Sequence, residues 1–248
     1  MPGKSLEIFE LRIPLARIVS LASHQRYAYY LLGQIYNEMI VLQKIIGFAL
    51  PKHDDLRPAR RNAEIAQVYF LFRMAASKIY EAKSAINRAE IHKTINELVF
   101  PIAPHLHGSL KALNKAVSAA QWLSRMRNGM GFHYPSLADW ETYTTPNDTW
   151  VDDLVYFGKQ SGNTFFDASA SVTMHWMFDK YREFEPNESV DPLVTELIDL
   201  IKQINEFTND TASVIISTLV PKGKIELVGK TIAPMHDEVS LPYWTRLR

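Results

Sequence analysis

Residues 105–131 read HLHGSLKALNKAVSAAQWLSRMRNGMG, and their apolar side chains recur every three or four positions. Because an α-helix turns once in about 3.6 residues, this spacing places those side chains on one face of a helix. The predicted buried stripe comprises Leu106, Leu110, Leu113, Val117, Ala120 and Leu123. Gly129 and Gly131 follow the stripe and predict the end of the helix. The stretch therefore predicts one long amphipathic helix.

Two segments before this stretch show the same helical spacing of apolar residues. The first runs from Tyr27 to Pro51, which ends it because proline cannot continue a helix. The second begins near Pro58, since proline is favourable in the first turn of a helix. It either continues to Leu98 or breaks near Asn87. Both segments predict long amphipathic helices.

A fourth long helix is predicted near the C-terminus. Asp191 supplies a helix cap, Pro192 a first-turn residue, and the apolar spacing continues to Leu219. Four long helices predict a mainly α protein, built as an antiparallel helical bundle of long helices with a small β-hairpin insertion.

The hairpin insertion is predicted at about residues 153–167. Leu154–Phe157 and Thr164–Phe166 are aromatic and β-branched runs, which favour strands. The residues between them, Gly158 to Asn163, have the composition of a hairpin loop.

The remaining segments complete one predicted domain over residues 1–248. Residues 135–150 form an irregular stretch that fits no helical stripe, and a short helix follows from about Ala168 to Tyr181. Residues 221–248 form an extended tail, whose Tyr243 and Trp244 pack either on the body or on a second subunit.

The composition excludes several classes of protein. The longest stretch without Asp, Glu, Lys or Arg spans the 13 residues from Leu98 to Leu110, which is too short to cross a membrane. Glu7 and Glu10 interrupt the apolar run that a signal peptide needs, so we expect a cytoplasmic protein. The absence of cysteine excludes disulfides, thiolate metal sites and cysteine nucleophiles.

Opposite charges dominate the two halves of the chain. Residues 1–130 contain 18 lysines and arginines and 9 acids, whereas residues 131–248 contain 9 and 18. Two readings stay open. The halves attract each other within one fold or across a dimer, or the basic half faces a polyanion such as RNA.

Familiar catalytic signatures are absent from the sequence. It contains no phosphate-binding glycine loop, dinucleotide fingerprint, His-Glu-x-x-His or Gly-x-Ser-x-Gly motif. His105 and His107 would point about 200° apart on a helix, and no carboxylate stands at a spacing that completes a metal site. We therefore expect no metal and no cofactor.

Three other groups of polar residues are better explained by structure than by chemistry. His175 beside Trp176 is predicted to be a partly buried core histidine. The adjacent acids Asp54-Asp55 and Asp152-Asp153 resemble helix caps or surface acids more than a catalytic dyad.

A basic cluster surrounds the start of the second helix. It comprises Lys52, Arg57, Arg60, Arg61 and Arg73. A solvated helix face and a phosphate-binding patch both explain such a cluster. If the cluster is a phosphate-binding patch, Arg57, Arg60 and Arg61 are candidate substrate-binding residues.

Arg127 falls on the predicted buried stripe of the long helix. At 100° per residue it lies within about 40° of Leu113, Ala120 and Leu123. A guanidinium cannot lose its proton, so on an apolar face it must pair with an acid, reach helix-end carbonyls, extend to the edge of the stripe or bind an anion in a cleft between subunits. The first three explanations are structural and the fourth is functional.

His133 and Asn128 favour the functional explanation. Gly129 and Gly131 let the chain turn after the helix, so that His133 can approach Arg127. Arginine would bind and stabilise a phosphate, histidine could transfer a proton near neutral pH, and Asn128 could orient the pair by hydrogen bonding.

At these residues the chain resembles the HEPN superfamily of helical-bundle proteins. The family motif is an arginine, usually followed by a polar residue, with a histidine a few positions later, and Arg127, Asn128 and His133 fit it with five residues between arginine and histidine. The resemblance covers residues from about 20 to 135, and 191–219 if the last helix completes the bundle. The hairpin and the tail have no counterpart.

The resemblance implies a site at a dimer cleft and cleavage of RNA without metal, in which the 2′-hydroxyl attacks the adjacent phosphate and leaves a cyclic phosphate. Arg127 would hold the scissile phosphate, His133 would act as general acid or base, and Asn128 would support the site. Such proteins often act as toxins, in abortive infection or in RNA processing, so an antitoxin or regulatory protein is a possible partner beside RNA and a second copy.

Two alternatives to a ribonuclease stay open at the level of sequence. A chain of this type can keep the bundle and only bind RNA or protein. Alternatively, it can be a plain helical interaction protein in which Arg127 pairs with an acid.

Overall fold

The computed structural model describes most of the chain, with gaps. The described ranges are 5–51, 57–131, 134–144, 154–159, 163–180, 191–220, 225–234 and 238–245. Within them the protein is mainly helical, which confirms the predicted fold class at that level.

The described α-helices follow one another along the chain with two short pairs of strands. The helices are α1 (Leu15–Ser20), α2 (Ser23–Ala49), α3 (Pro58–Ile86), α4 (Ala89–Thr94), α5 (His105–Ala119), α6 (Gln121–Met126), α7 (Leu137–Thr144), α8 (Asp167–Lys180) and α9 (Asp191–Leu219). π-Helical turns follow α4 at Ile95–Val99 and α6 at Arg127–Gly131.

The chain divides into two compact units. Unit 1 comprises Met1–Gln43, Lys78–Gln121 and Ile198–Val239, and unit 2 comprises Lys44–Ser77, Trp122–Leu197 and Ser240–Arg248. The single domain expected over the whole chain stays a prediction.

The core of unit 1 contains the predicted apolar stripes. On α5 the side chains of Leu106, Leu110, Leu113 and Val117 are all buried. The α9 stripe adds Ile201, Ile204 and Phe207, which are also buried. The predicted start and end of α9 are confirmed as well.

The second predicted helix breaks near Asn87 and does not continue to Leu98. Helix α3 ends at Ile86, and α4 begins at Ala89. The amide of Asn87 donates to the Lys83 carbonyl at 2.7 Å and to Asn114 Oδ1 at 2.7 Å. Because Asn87 bonds the helix end and α5 at once, the break is fixed by polar contacts that apolar spacing does not reveal.

In unit 2, the core is built around aromatic side chains. Phe72 and Trp122 stack with their ring centroids 5.2 Å apart. The buried Trp122 donates its indole N–H to Glu196 Oε2 at 3.0 Å. This bond satisfies the polar edge of a ring that otherwise packs on apolar atoms.

The predicted hairpin is confirmed, and the tail packs on it. Strand β2 (Val155–Phe157) pairs antiparallel with β3 (Thr164–Phe166). Tyr243 donates its hydroxyl to the Thr164 carbonyl at 2.6 Å, and its ring meets Phe165 edge to face. Of the two locations expected for Tyr243, the body of the chain is therefore the observed one.

A second strand pair lies in unit 1 and involves a strand that the sequence analysis missed. Strand β1 (Ser5–Leu11) pairs antiparallel with β4 (Ile225–Ile232), which belongs to the tail predicted as extended. The register shifts between Ile8 and Phe9. Large apolar side chains stay exposed on this ribbon, including those of Phe9 and Leu227.

Helix α7 corrects the prediction of an irregular stretch over residues 135–150. Its N-terminus is held by a reciprocal capping box. The backbone N–H of Ser136 donates to Asp139 Oδ2 at 3.1 Å, and that of Asp139 donates to Ser136 Oγ at 3.3 Å. The Ser-x-x-Asp spacing is the sequence signal for this helix start, and it does not depend on an apolar stripe. Residues 145–150 lie outside the described ranges.

A search of the described helices for a transmembrane span found none with sufficient length and apolarity.

Candidate functional site

The helix that carries Arg127 is interrupted, which overturns the predicted burial of that residue. Helix α5 ends at Ala119, and Ala120 has φ −75° and ψ 69°, which lies outside the helical region. Helix α6 begins at Gln121, and a π-helical turn begins at Arg127 itself. Since helical phase does not carry across either irregularity, Leu123 is buried whereas Arg127 is exposed.

The π-helical turn is fixed by a close approach to α3 within unit 2. A Cβ atom on Gly131 would lie 1.9 Å from Ser77 Oγ and 3.0 Å from Ser77 Cβ, so only glycine fits. The Ser77 hydroxyl is itself buried and donates to the Arg73 carbonyl at 3.0 Å. No described glycine has a positive φ. The glycines were expected to let the chain turn after the helix; at Gly131 the close contact with Ser77 is what requires glycine.

The first two positions of the turn present a polar pair to solvent. Arg127 Nη1 donates to Asn128 Oδ1 at 2.9 Å, and both residues are exposed. Asn128 is predicted to orient Arg127 and His133 by hydrogen bonding, and of these two bonds the structure describes the one to Arg127. A guanidinium has five N–H donors, and the bond to Asn128 uses one of them.

The third residue of the motif, His133, lies outside the described residues, as does Phe132. The next residue, Tyr134, is 97% exposed and interacts electrostatically with Arg73. Arg73 is partly buried, and its guanidinium carbon lies 5.9 Å from the centroid of the Phe70 ring. Burial lowers the pKa of Arg73, and Tyr134 opposes that shift. The side chain nevertheless stays charged at neutral pH.

The three arginines predicted to bind substrate lie at the start of α3 and are exposed. Arg60 Nε contacts the buried carboxylate of Glu64 at 2.8 Å, one helical turn along α3. Because Glu64 neutralises Arg60, the charge of this patch comes mainly from Arg57 and Arg61. Lys52, the other member near the helix start, is outside the described ranges.

Comparisons of the chain with protein-family models, with curated proteins and with solved structures find no match. The chemistry of the site is therefore read from its own residues. The described part of the motif consists of the exposed Arg127, the Asn128 amide oxygen that accepts a hydrogen bond from it, and a π-helical turn, a feature frequent at functional sites. A guanidinium is chemically suited to contact an anion.

Three further predictions concern His175, metal binding and the two pairs of adjacent acids. His175 is exposed, which corrects its predicted burial: Trp176 and Met177 occupy the buried side of α8 instead. Among the described residues, no group of three His, Asp or Glu side chains could hold a metal ion. Asp54-Asp55 and Asp152-Asp153 fall in the gaps of the described chain.

Two features of the site escaped sequence reasoning. The contact between Gly131 and Ser77 joins residues far apart in the chain, so no local sequence pattern predicts it. The partial burial of Arg73 had a signal, because Phe72 on the apolar stripe of α3 is its neighbour in sequence.

Proposed function

We propose that this chain binds RNA at Arg127 and Asn128 and cleaves it as a metal-independent ribonuclease of the HEPN type. The observation that carries the proposal is the exposed guanidinium of Arg127, held by Asn128 on a π-helical turn. Such a side chain can reach a phosphate from solvent, and its bond to Asn128 reduces the freedom it loses on binding. Arg127 is exposed, not buried as its helical phase predicts, so the proposal rests on a surface contact with phosphate.

The reaction needs three events at one phosphate. A base removes the proton of the 2′-hydroxyl, the 2′-oxygen attacks phosphorus, and the 5′-oxygen leaves as it takes up a proton. Arg127 would stabilise the charge that develops on the phosphate oxygens. By the HEPN resemblance, His133 supplies the acid or the base, and Asn128 keeps Arg127 in position.

Further parts of the proposal rest on the same resemblance. The long helices would form an antiparallel bundle, two copies would bring their motifs to a shared cleft, and the protein would act in the cytoplasm. Two histidines at one cleft would provide one acid and one base. An antitoxin or other regulatory protein would then act by covering the cleft.

The test is an RNA cleavage assay with chelator present. We expect wild-type protein to produce fragments ending in 2′,3′-cyclic phosphate, identified by mass spectrometry. Arg127→Ala and His133→Ala should each reduce the rate by about 10²-fold or more, because each removes a transition-state contact. Arg12→Ala is the matched control, since Arg12 is an exposed arginine of unit 1 that pairs with Glu10.

A second candidate function is RNA binding without cleavage, and the exposure of Arg127 favours it. An arginine open to solvent suits a phosphate contact on a surface, whereas catalysis profits from a desolvated charge. In this case RNA stays intact in the assay but shifts in a gel. Arg127→Ala would then weaken binding for all sequences alike and lower the salt dependence by about one charge. RNA that neither breaks nor shifts contradicts both candidates.

A further inference from the structure

A cavity of about 210 Å³ lies between α3 and α8 in unit 2. Ala66 and Ala170 leave room for it, because alanine side chains on facing helices cannot fill the space between them. The residues used below are Ala66 and Arg73 from α3, and Ala170, Thr173, Met174 and Met177 from α8.

Arg73 is the one charged residue among the described residues that line this cavity. Within the described ranges its guanidinium has neither a hydrogen-bond acceptor nor a carboxylate within ion-pair distance, although Tyr134 interacts with it electrostatically. A partly buried guanidinium without acceptors is costly, so cavities that contain one commonly receive an acceptor from a ligand or from water.

The other polar side chains that line the cavity are uncharged, namely those of Tyr69, Ser169 and Thr173. Thr173 already donates its hydroxyl to the Ser169 carbonyl at 2.8 Å. Met174 and Met177 contribute flexible, polarisable side chains that adapt to apolar groups of different shape. The cavity therefore offers one fixed positive charge and an adaptable apolar wall.

We propose that this cavity binds a small organic carboxylate with an apolar body, whose carboxylate pairs with Arg73 and whose body contacts Met174 and Met177. A planar guanidinium matches a carboxylate with two parallel hydrogen bonds, which gives affinity and orientation together. The volume limits the ligand to a compact molecule, smaller than those bound by most drug-sized pockets. This site is distinct from the RNA surface at Arg127 and does not depend on it.

An RNA phosphate is the competing occupant and fits less well. Backbone phosphates are surrounded by sugars and water, and proteins bind them with exposed charged groups rather than inside an apolar cavity. Such a ligand would offer no apolar surface for the two methionine side chains to contact. A carboxylate attached to a ring or a branched chain uses both features of the cavity.

The test is isothermal titration calorimetry of the full chain with 2-naphthoate, and with 2-naphthamide as a neutral ligand of the same shape. Hexanoate and hexanamide form a second, aliphatic pair. We expect at least one carboxylate to bind with a stoichiometry of one, and about tenfold or more tighter than its amide, because a charge-assisted pair is lost in the amide.

Variants locate the binding site. Arg73→Met keeps an unbranched side chain of similar length but removes the charge. It should therefore abolish the preference for carboxylate over amide. Ala170→Leu keeps the charge and should weaken both ligands by filling the cavity. Lys159→Met, which removes an exposed charge from the hairpin of unit 2, should leave binding unchanged.

A spectroscopic measurement keeps the test independent of these variants. With ¹³C-methyl methionine, the bound aromatic ring should shift the methyl signals of Met174 and Met177 in wild-type protein. Equal affinity of each carboxylate and its amide overturns the proposal, as does the absence of both heat and methionine shifts at millimolar ligand. If an RNA oligonucleotide shifts the methionine methyl signals and no carboxylate does, the proposal is also overturned.

Discussion

The burial of side chains in helix α5 and in the residues that follow it was predicted from one helical phase of 100° per residue. The prediction holds throughout α5 but only partly beyond it. Within α5 every predicted stripe residue is buried. Beyond Ala120 the stripe still places Leu123 in the core, but four residues later Arg127 is at the surface. An angle of 100° per residue is therefore valid only along an uninterrupted helix.

The first prediction tests the region where the arithmetic holds. Leu113 is 1% exposed, so Leu113→Ala should lower the free energy of unfolding by about 2–5 kcal/mol through lost burial and the cavity that remains. Urea denaturation followed by circular dichroism measures it. Lys115→Ala is the control, because Lys115 is exposed on the same helix and should change stability by less than about 0.5 kcal/mol. Equal losses for the two variants would contradict the assignment of the stripe.

The second prediction compares two glycines, one in each region. Gly131→Ala should destabilise the protein by about 1–3 kcal/mol, because the new methyl group would overlap Ser77. Gly108→Ala in α5 meets no atom within 4 Å and should stabilise by about 0.5–1 kcal/mol, as expected for alanine in a helix.

A double-mutant cycle assigns the cost of Gly131→Ala to the contact itself. Ser77→Gly removes both atoms that the new methyl group meets, so Gly131→Ala should cost little in that background. If the cost stays the same, the glycine is needed for another reason and the packing of the π-helical turn on α3 is wrong.

These contrasts show what sequence could predict. Regular helices and the hairpin follow from periodicity and turn composition, and they were predicted nearly to the residue at Pro58, Ala49 and Leu219. The π-helical turn and the strand β1 were missed because each depends on a partner distant in sequence. The capping box of α7 was missed because it depends on hydrogen bonds between Ser136 and Asp139 and not on apolar spacing.

For the site, sequence predicted which residues are chemically suited but not their surroundings. Asn128 contacts Arg127 as expected, since neighbours in sequence are near in space. The exposure of Arg127 depends on the backbone at Ala120, an ordinary alanine with no helix-breaking signal. Helix propensity therefore does not predict this break, nor the exposure of Arg127 that follows from it.

The third prediction concerns a polar contact of unit 1 outside the apolar stripes. Hydrogen bonds from Gln34 and Lys78 to Glu38 lower the pKa of that carboxyl. Because the folded-state pKa lies below the unfolded one, the contact stabilises the fold above the unfolded pKa and this contribution is lost as pH falls through the folded pKa.

The expected size is small, because both side chains of the ion pair are more than a third exposed. Glu38→Gln should therefore be less stable than wild type by under about 1 kcal/mol at pH 7. The difference should shrink towards zero near pH 3, below the ordinary pKa of glutamate. Urea denaturation of both proteins across this pH range measures it. A difference that grows on acidification reverses the sign and contradicts the contact.

The last prediction is the smallest, and it bears most directly on the comparison. An arginine buried on the α5 stripe would need an acidic partner, and truncating it would leave that acid uncompensated at a cost of about 3–5 kcal/mol. Arg127 at the surface implies instead that Arg127→Ala changes the free energy of unfolding by less than about 0.5 kcal/mol. Thermal and urea denaturation distinguish the two outcomes easily, and Arg12→Ala sets the scale for an exposed arginine. A large loss for Arg127→Ala alone would mean that helical phase does persist beyond Ala120. Any loss of RNA cleavage in that variant would then reflect unfolding rather than a missing phosphate contact.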